Sequence, residues 1–150
     1  VRVDGEDQSV SGGPFLWLRH AQVVFEAFDS DSQQDRLVAM HDGYRRLADP
    51  VTHRRVVVYD KAARQLLVED QLHCQGTHTI EQHWHFGDDV AVELHGDRAV
   101  ARTGRHTITL LLPAGGEARL VRGQRAEHDQ RCQGDNLAQA APAPLVPASQ

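Results

Sequence analysis

Apolar and polar positions alternate with a period of two along most of this chain. Arg54–Tyr59 reads RRVVVY and Gln65–Glu69 reads QLLVE, separated by Asp60-Lys61-Ala62-Ala63-Arg64. Two β-rich runs around a loop of about five residues predict a hairpin. Val90–His95 and Arg98–Arg102 flank Gly96-Asp97 and predict a second hairpin. A third pair is expected between Arg105–Leu112 and Ala118–Arg122, across Pro113-Ala114-Gly115-Gly116. Further strands are expected within Phe15–Phe28, Arg36–His41 and Thr77–Phe86. Helical spacing is weak. Gln33–Met40 sets Leu37 and Met40 three apart, but it is short and has no clear cap, so it reads as strand.

Regular short strands with turn signals between them indicate an all-β fold, an antiparallel sandwich or barrel with few or no helices. The length of 150 residues suits one domain. Residues 1–137 are expected to form it, and the Ala/Pro-rich 138–150 to be an extended tail. The opening Val1-Arg2-Val3-Asp4-Gly5 reads as the middle of a strand and turn, so a domain excised from a larger protein is expected.

Composition narrows the function classes. The formal net charge of −5 disfavours nucleic acid as a partner, and any binding of an acidic polymer must be local. No run of 18 apolar residues is present, so no membrane-spanning helix is expected. The two cysteines, Cys74 and Cys132, do not make a disulfide framework, and no CxxC zinc motif exists. Ten histidines are the unusual feature.

On a strand over Thr77–Phe86, one face carries His78, Ile80, Gln82, Trp84 and Phe86. Ile80, Trp84 and Phe86 should turn that face inward. Glu81, His83 and His85 then share the other face, roughly 7 Å apart in succession. Two imidazoles and a carboxylate are a common metal set, for zinc or another divalent ion such as calcium. A solvated outer face would show the same polar row. The His-x-His pattern also suggests a stand-alone cupin-like metal- or sugar-binding domain, although no Glu follows at cupin spacing.

The second constellation is His41-Asp42-Gly43-Tyr44. Gly43 can take positive φ, so a tight turn or bulge would set His41 and Tyr44 at a strand edge. An imidazole and a phenol there could reach a sugar or transfer a proton. Tyr44 could equally pack at a corner with its hydroxyl bonded to backbone. His53 and Arg54, just before a strand, are candidates for substrate contact or for pairing with local carboxylates.

These blocks resemble the C-terminal domain of heparinase II/III-like polysaccharide lyases. Val1–Ser9 resembles its VDG-x-x-Q stretch, and His41–Arg55 its GY-x-x-L…V-x-H-x-R block. RRVVVYD, LLVEDQL and HTIEQHWHF follow in the family's order. The resemblance implies a galactose-mutarotase-like β-sandwich, paired in the family with an N-terminal α/α toroid. It also implies β-elimination on uronic-acid polysaccharides, with Tyr44 and His41 as the catalytic candidates and His53 and Arg54 as substrate contacts. A periplasmic or secreted site goes with that family. Its further catalytic His, in a His-Asn-Thr/Ser stretch before VDG, is not in this chain. The isolated chain is therefore expected to be inactive and to form one cleft wall. A structural module that holds a neighbouring domain would instead expose a large apolar face.

Overall fold

The computed structural model describes residues 1–122 and 136–141. Among the described residues all regular structure is strand apart from one short 3₁₀ turn, and every strand pair is antiparallel. The chain divides into two compact units.

One unit holds Glu6–Thr77. Its strands are β2 (Val10–Gly13), β3 (Leu16–Arg19), β4 (Val23–Ser30), β5 (Gln34–His41), β6 (Thr52–Asp60) and β7 (Gln65–His73). β2 and β3 form a small hairpin, and β4-β5-β6-β7 a four-stranded meander. The expected strand region Phe15–Phe28 holds two strands, with His20-Ala21-Gln22 between them outside regular structure. Val38 and Val56 face each other across β5 and β6, and both are buried. The 3₁₀ turn Gly43–Arg46 connects β5 towards β6. Tyr44 and Val51 on this connection are fully buried and pin it, with the Val51 amide donating to the Tyr44 carbonyl.

Gly43 corrects an expectation. It does not have a positive φ. It is needed because a Cβ there would run into the Gln8 carbonyl.

The other unit gathers Val1–Gly5 and the described residues from His78 on. Its strands are β1 (Arg2–Val3), β8 (Ile80–Phe86), β9 (Ala91–His95), β10 (Arg98–Thr103), β11 (His106–Leu111), β12 (Glu117–Arg122) and β13 (Asn136–Ala141). They form sheets ordered β1-β8-β13-β12 and β11-β10-β9. Val92, Ala99 and Ala101 make the core, with Phe86, Leu94, Leu110 and Leu120 packed on it.

β11 does not pair with β12 as expected. It folds back on β10 through Gly104-Arg105, where Gly104 has φ +50, and β12 pairs with β13. A two-residue turn that tolerates positive φ closes a hairpin more readily than one containing Pro113. β13 takes in the first residues of the expected tail. Cys132 lies outside the described residues.

Candidate functional site

The most connected polar group of the first unit sits at one end of the β5-β6-β7 meander. Register alone assembles it. His41 lies opposite His53, and Arg55 lies opposite Asp70. His53 and Arg55 are two apart on β6, so all four side chains share one face of the sheet.

The contacts form a chain. Arg55 grips Asp70 with two hydrogen bonds, Nε to Oδ1 at 2.7 Å and Nη2 to Oδ2 at 2.9 Å. His53 Nε2 lies 2.7 Å from Asp70 Oδ1. His53 Nδ1 lies 2.9 Å from His41 Nε2. The Gly43 amide donates to His41 Nδ1 at 3.2 Å. The Tyr44 ring tilts against His41, with centroids 5.3 Å apart.

That last amide fixes the tautomers. A backbone N–H can only donate, so His41 Nδ1 accepts. Neutral His41 then carries its hydrogen on Nε2 and donates it to His53 Nδ1. His53 in turn donates its Nε2 hydrogen to Asp70. Every hydrogen in the chain points inward, towards the carboxylate.

Burial is graded along the same line. The side chains of Asp70 and His53 are almost wholly buried, at 4% and 6% exposure, whereas His41 is half-buried. His41 is therefore the open end. Burial, and then the positive charge that His53 can carry, push His41 from 6.5 down to about 4. Burial pushes the Asp70 carboxyl up, but hydrogen bonds from His53 and Arg55 and the Arg55 charge outweigh it. The carboxyl is held far below its usual range. An ionised Asp70 and a neutral His41 are the result at neutral pH.

Tyr44, His41 and His53 thus come together. Tyr44 is not at an open strand edge: it is fully buried, so its phenol supports the His41 ring and meets no solvent. Arg54 belongs to the opposite face. Its Nε donates to Glu26 at 2.8 Å and its Nη1 to Gln71 at 2.9 Å. Sequence reasoning missed Arg55 and Asp70.

In the second unit, Glu81, His83 and His85 do share one face of β8, with Trp84 and Phe86 half-buried. Glu81 is engaged by Arg2 at 3.4 Å and by His83 Nε2 at 3.3 Å. The His83 and His85 rings stack with centroids 6.4 Å apart. Among the described residues no three His, Cys, Asp or Glu gather to hold a metal.

A further pairing in this unit went unread. His78 is buried, and its Nδ1 lies 2.6 Å from Asp4 Oδ2. Asp4 also accepts the Thr79 amide at 2.8 Å. The VDG stretch therefore latches β1 to the start of β8.

An antiparallel all-β architecture with a His-His-Asp-Arg chain buried at His53 and Asp70 defines the class, and among the described residues no helix is long and apolar enough to cross a membrane. The family model for the heparinase II/III-like C-terminal domain matches residues 1–141, and the chain belongs to that family. It is a domain related to polysaccharide lyases. No curated protein and no solved structure matches it.

Proposed function

We propose that this chain is the β-sandwich domain of a heparinase II/III-type lyase that cleaves uronic-acid polysaccharides by β-elimination. In this reading the end of the meander carrying His41 lines the substrate cleft. The observation that supports it is His41 itself, a half-buried imidazole at the open end of the chain that runs to Asp70. Beta-elimination needs a group to accept the C5 proton and a cation near the uronate carboxylate. A neutral His41 can accept a proton at Nδ1, or hydrogen-bond to a sugar hydroxyl there, by displacing the long Gly43 contact. Arg55 is committed to Asp70. Arg45, exposed on the 3₁₀ turn, supplies positive charge beside Tyr44.

The partner in this reading is an α/α toroid of the same protein. Its support is apolar exposure in the first unit. Phe15, Trp17 and Leu18 on the β2–β3 hairpin, and Val23, Phe25 and Phe28 on β4, are all more than half exposed. Isolated domains rarely leave so many large apolar side chains in water without a neighbour to cover them.

The chain alone should not turn over substrate, because one wall does not make a cleft. Absorbance of unsaturated uronate, followed with heparin, heparan sulfate and alginate, is expected to stay at the no-enzyme rate. Robust turnover by the 150-residue chain would overturn this division of labour.

A further inference from the structure

His53 and Asp70 are almost wholly buried, yet their geometry governs what His41 can do. Resting on the lyase reading above, we propose that Asp70, oriented by Arg55, is a positioning residue: it makes His41 and His53 take up a proton as one unit, entering at His41 Nδ1 and settling on His53.

The hydrogen inventory carries this. In the neutral pair His41 holds its hydrogen on Nε2, aimed at the His53 Nδ1 lone pair 2.9 Å away. A proton bound at His41 Nδ1 replaces the Gly43 contact. The His41 Nε2 hydrogen can then cross to His53 Nδ1. One N–H bond forms at His41 Nδ1, one breaks at His41 Nε2 and one forms at His53 Nδ1. His41 ends neutral in its other tautomer, and the charge rests on His53. There it lies 2.7 Å from the Asp70 carboxylate. Attraction between unit charges at that separation is strong in a buried site.

Of the acidic groups facing the pair, Asp70 favours this distribution and Asp42 opposes it. Asp70 lies on the His53 side, on β7. Arg55 on β6 holds both Asp70 oxygens, so the carboxylate cannot rotate away. Asp42 flanks His41 and draws positive charge towards it, but its Oδ1 is engaged by the Gln22 amide, whereas Asp70 bonds His53 directly. Tyr44 covers the His41 ring from the 3₁₀ turn. Interacting imidazoles titrate as a pair, so the first proton belongs to both and the second is the costly one. Burial and a charged His53 both resist a second proton at His41.

Long-range ¹H–¹⁵N correlation of the imidazoles in the 150-residue chain tests this without any substrate. At pH 8 the His41 Nδ1 should read as a bare nitrogen and its Nε2 as protonated. On acidification His53 should become doubly protonated first, while His41 switches tautomer in the same step. In Asp70→Asn the first proton should no longer localise on His53, and the His41 tautomer should become mixed. Arg55→Lys, which keeps the charge but loses the fork, should shift the same signals part of the way. A wild-type His41 protonated on Nδ1 at pH 8 would overturn the proposal, whether or not the variants fold. So would folded Asp70→Asn with unchanged tautomers and order. A failure of glycan binding or turnover would leave these signals untouched and would count against the lyase reading alone.

Discussion

Tyr44→Ala is expected to destabilise the chain by about 3–5 kcal/mol, the range for removing a buried aromatic ring. Tyr44 is fully buried, and its carbonyl receives the amides of Leu47 and Val51. The truncation opens a cavity beneath the 3₁₀ turn and withdraws the ring that supports His41. A whole domain is stable by only about 5–15 kcal/mol, so much of the chain should unfold at mild denaturant. Urea unfolding followed by far-ultraviolet circular dichroism measures the change. Tyr44→Phe keeps the ring volume and should cost much less. A loss under about 1 kcal/mol in Tyr44→Ala would mean that the ring is not packed as described.

Asp70→Ala should be the second most damaging change, at roughly 3 kcal/mol, because it strands a buried imidazole and the Arg55 fork. Arg55 is partly exposed and can recover water, which keeps the cost near the lower end of that range. The variant should also alter how stability depends on pH. His41 is depressed to about 4 from 6.5, so the unfolded chain binds a proton that the folded chain refuses. Wild-type stability should therefore fall as pH drops from 6.5 towards 4, by roughly 1–2 kcal/mol once solvent at this half-buried ring is allowed for. The depressed Asp70 carboxyl adds stability that is fully present above its unfolded value of 3.8 and is lost as pH falls below it. Asp70→Ala should abolish that second loss. Urea midpoints measured between pH 7 and pH 3 separate the two steps.

Much of this fold could be read from period two. The β6–β7 and β9–β10 hairpins and the strand character of Gln34–His41 follow from alternation and turn residues. The inward face of β8 followed from its aromatics, and Phe86 does pack on the Val92–Ala99–Ala101 core. Pairing partners were less legible. β11 returns to β10, not to β12, because a short Gly-containing turn competed with a longer Pro-containing one.

The candidate site shows how fine the difference is. Reading the loop as Asp60–Arg64 sets Asp70 opposite Arg54. The turn is one residue shorter, with Asp60 paired to Gln65, and Asp70 falls opposite Arg55. A slip of one residue moves a side chain to the other face of the sheet. Arg64, with φ +54, absorbs the strain of that tighter turn, and an arginine gives no hint of it in sequence. His41, Tyr44 and His53 were found from the local GY and H-x-R pattern. Asp70 needed the register. The Glu81-His83-His85 row was also legible as a shared face, but alternation does not report whether side chains converge. Arg2 on the neighbouring β1 claims Glu81.

The lyase reading requires the His41 end of the meander to meet an acidic glycan. Titrating the ¹⁵N-labelled chain with uronic-acid oligosaccharides tests it most directly. Saturable shifts are expected at the His41 imidazole, the Gly43 amide and the Arg45 guanidinium, weakened by His41→Ala and by salt. Shifts confined to the β8 histidines, or none at any of these groups at high oligosaccharide concentration, would contradict it.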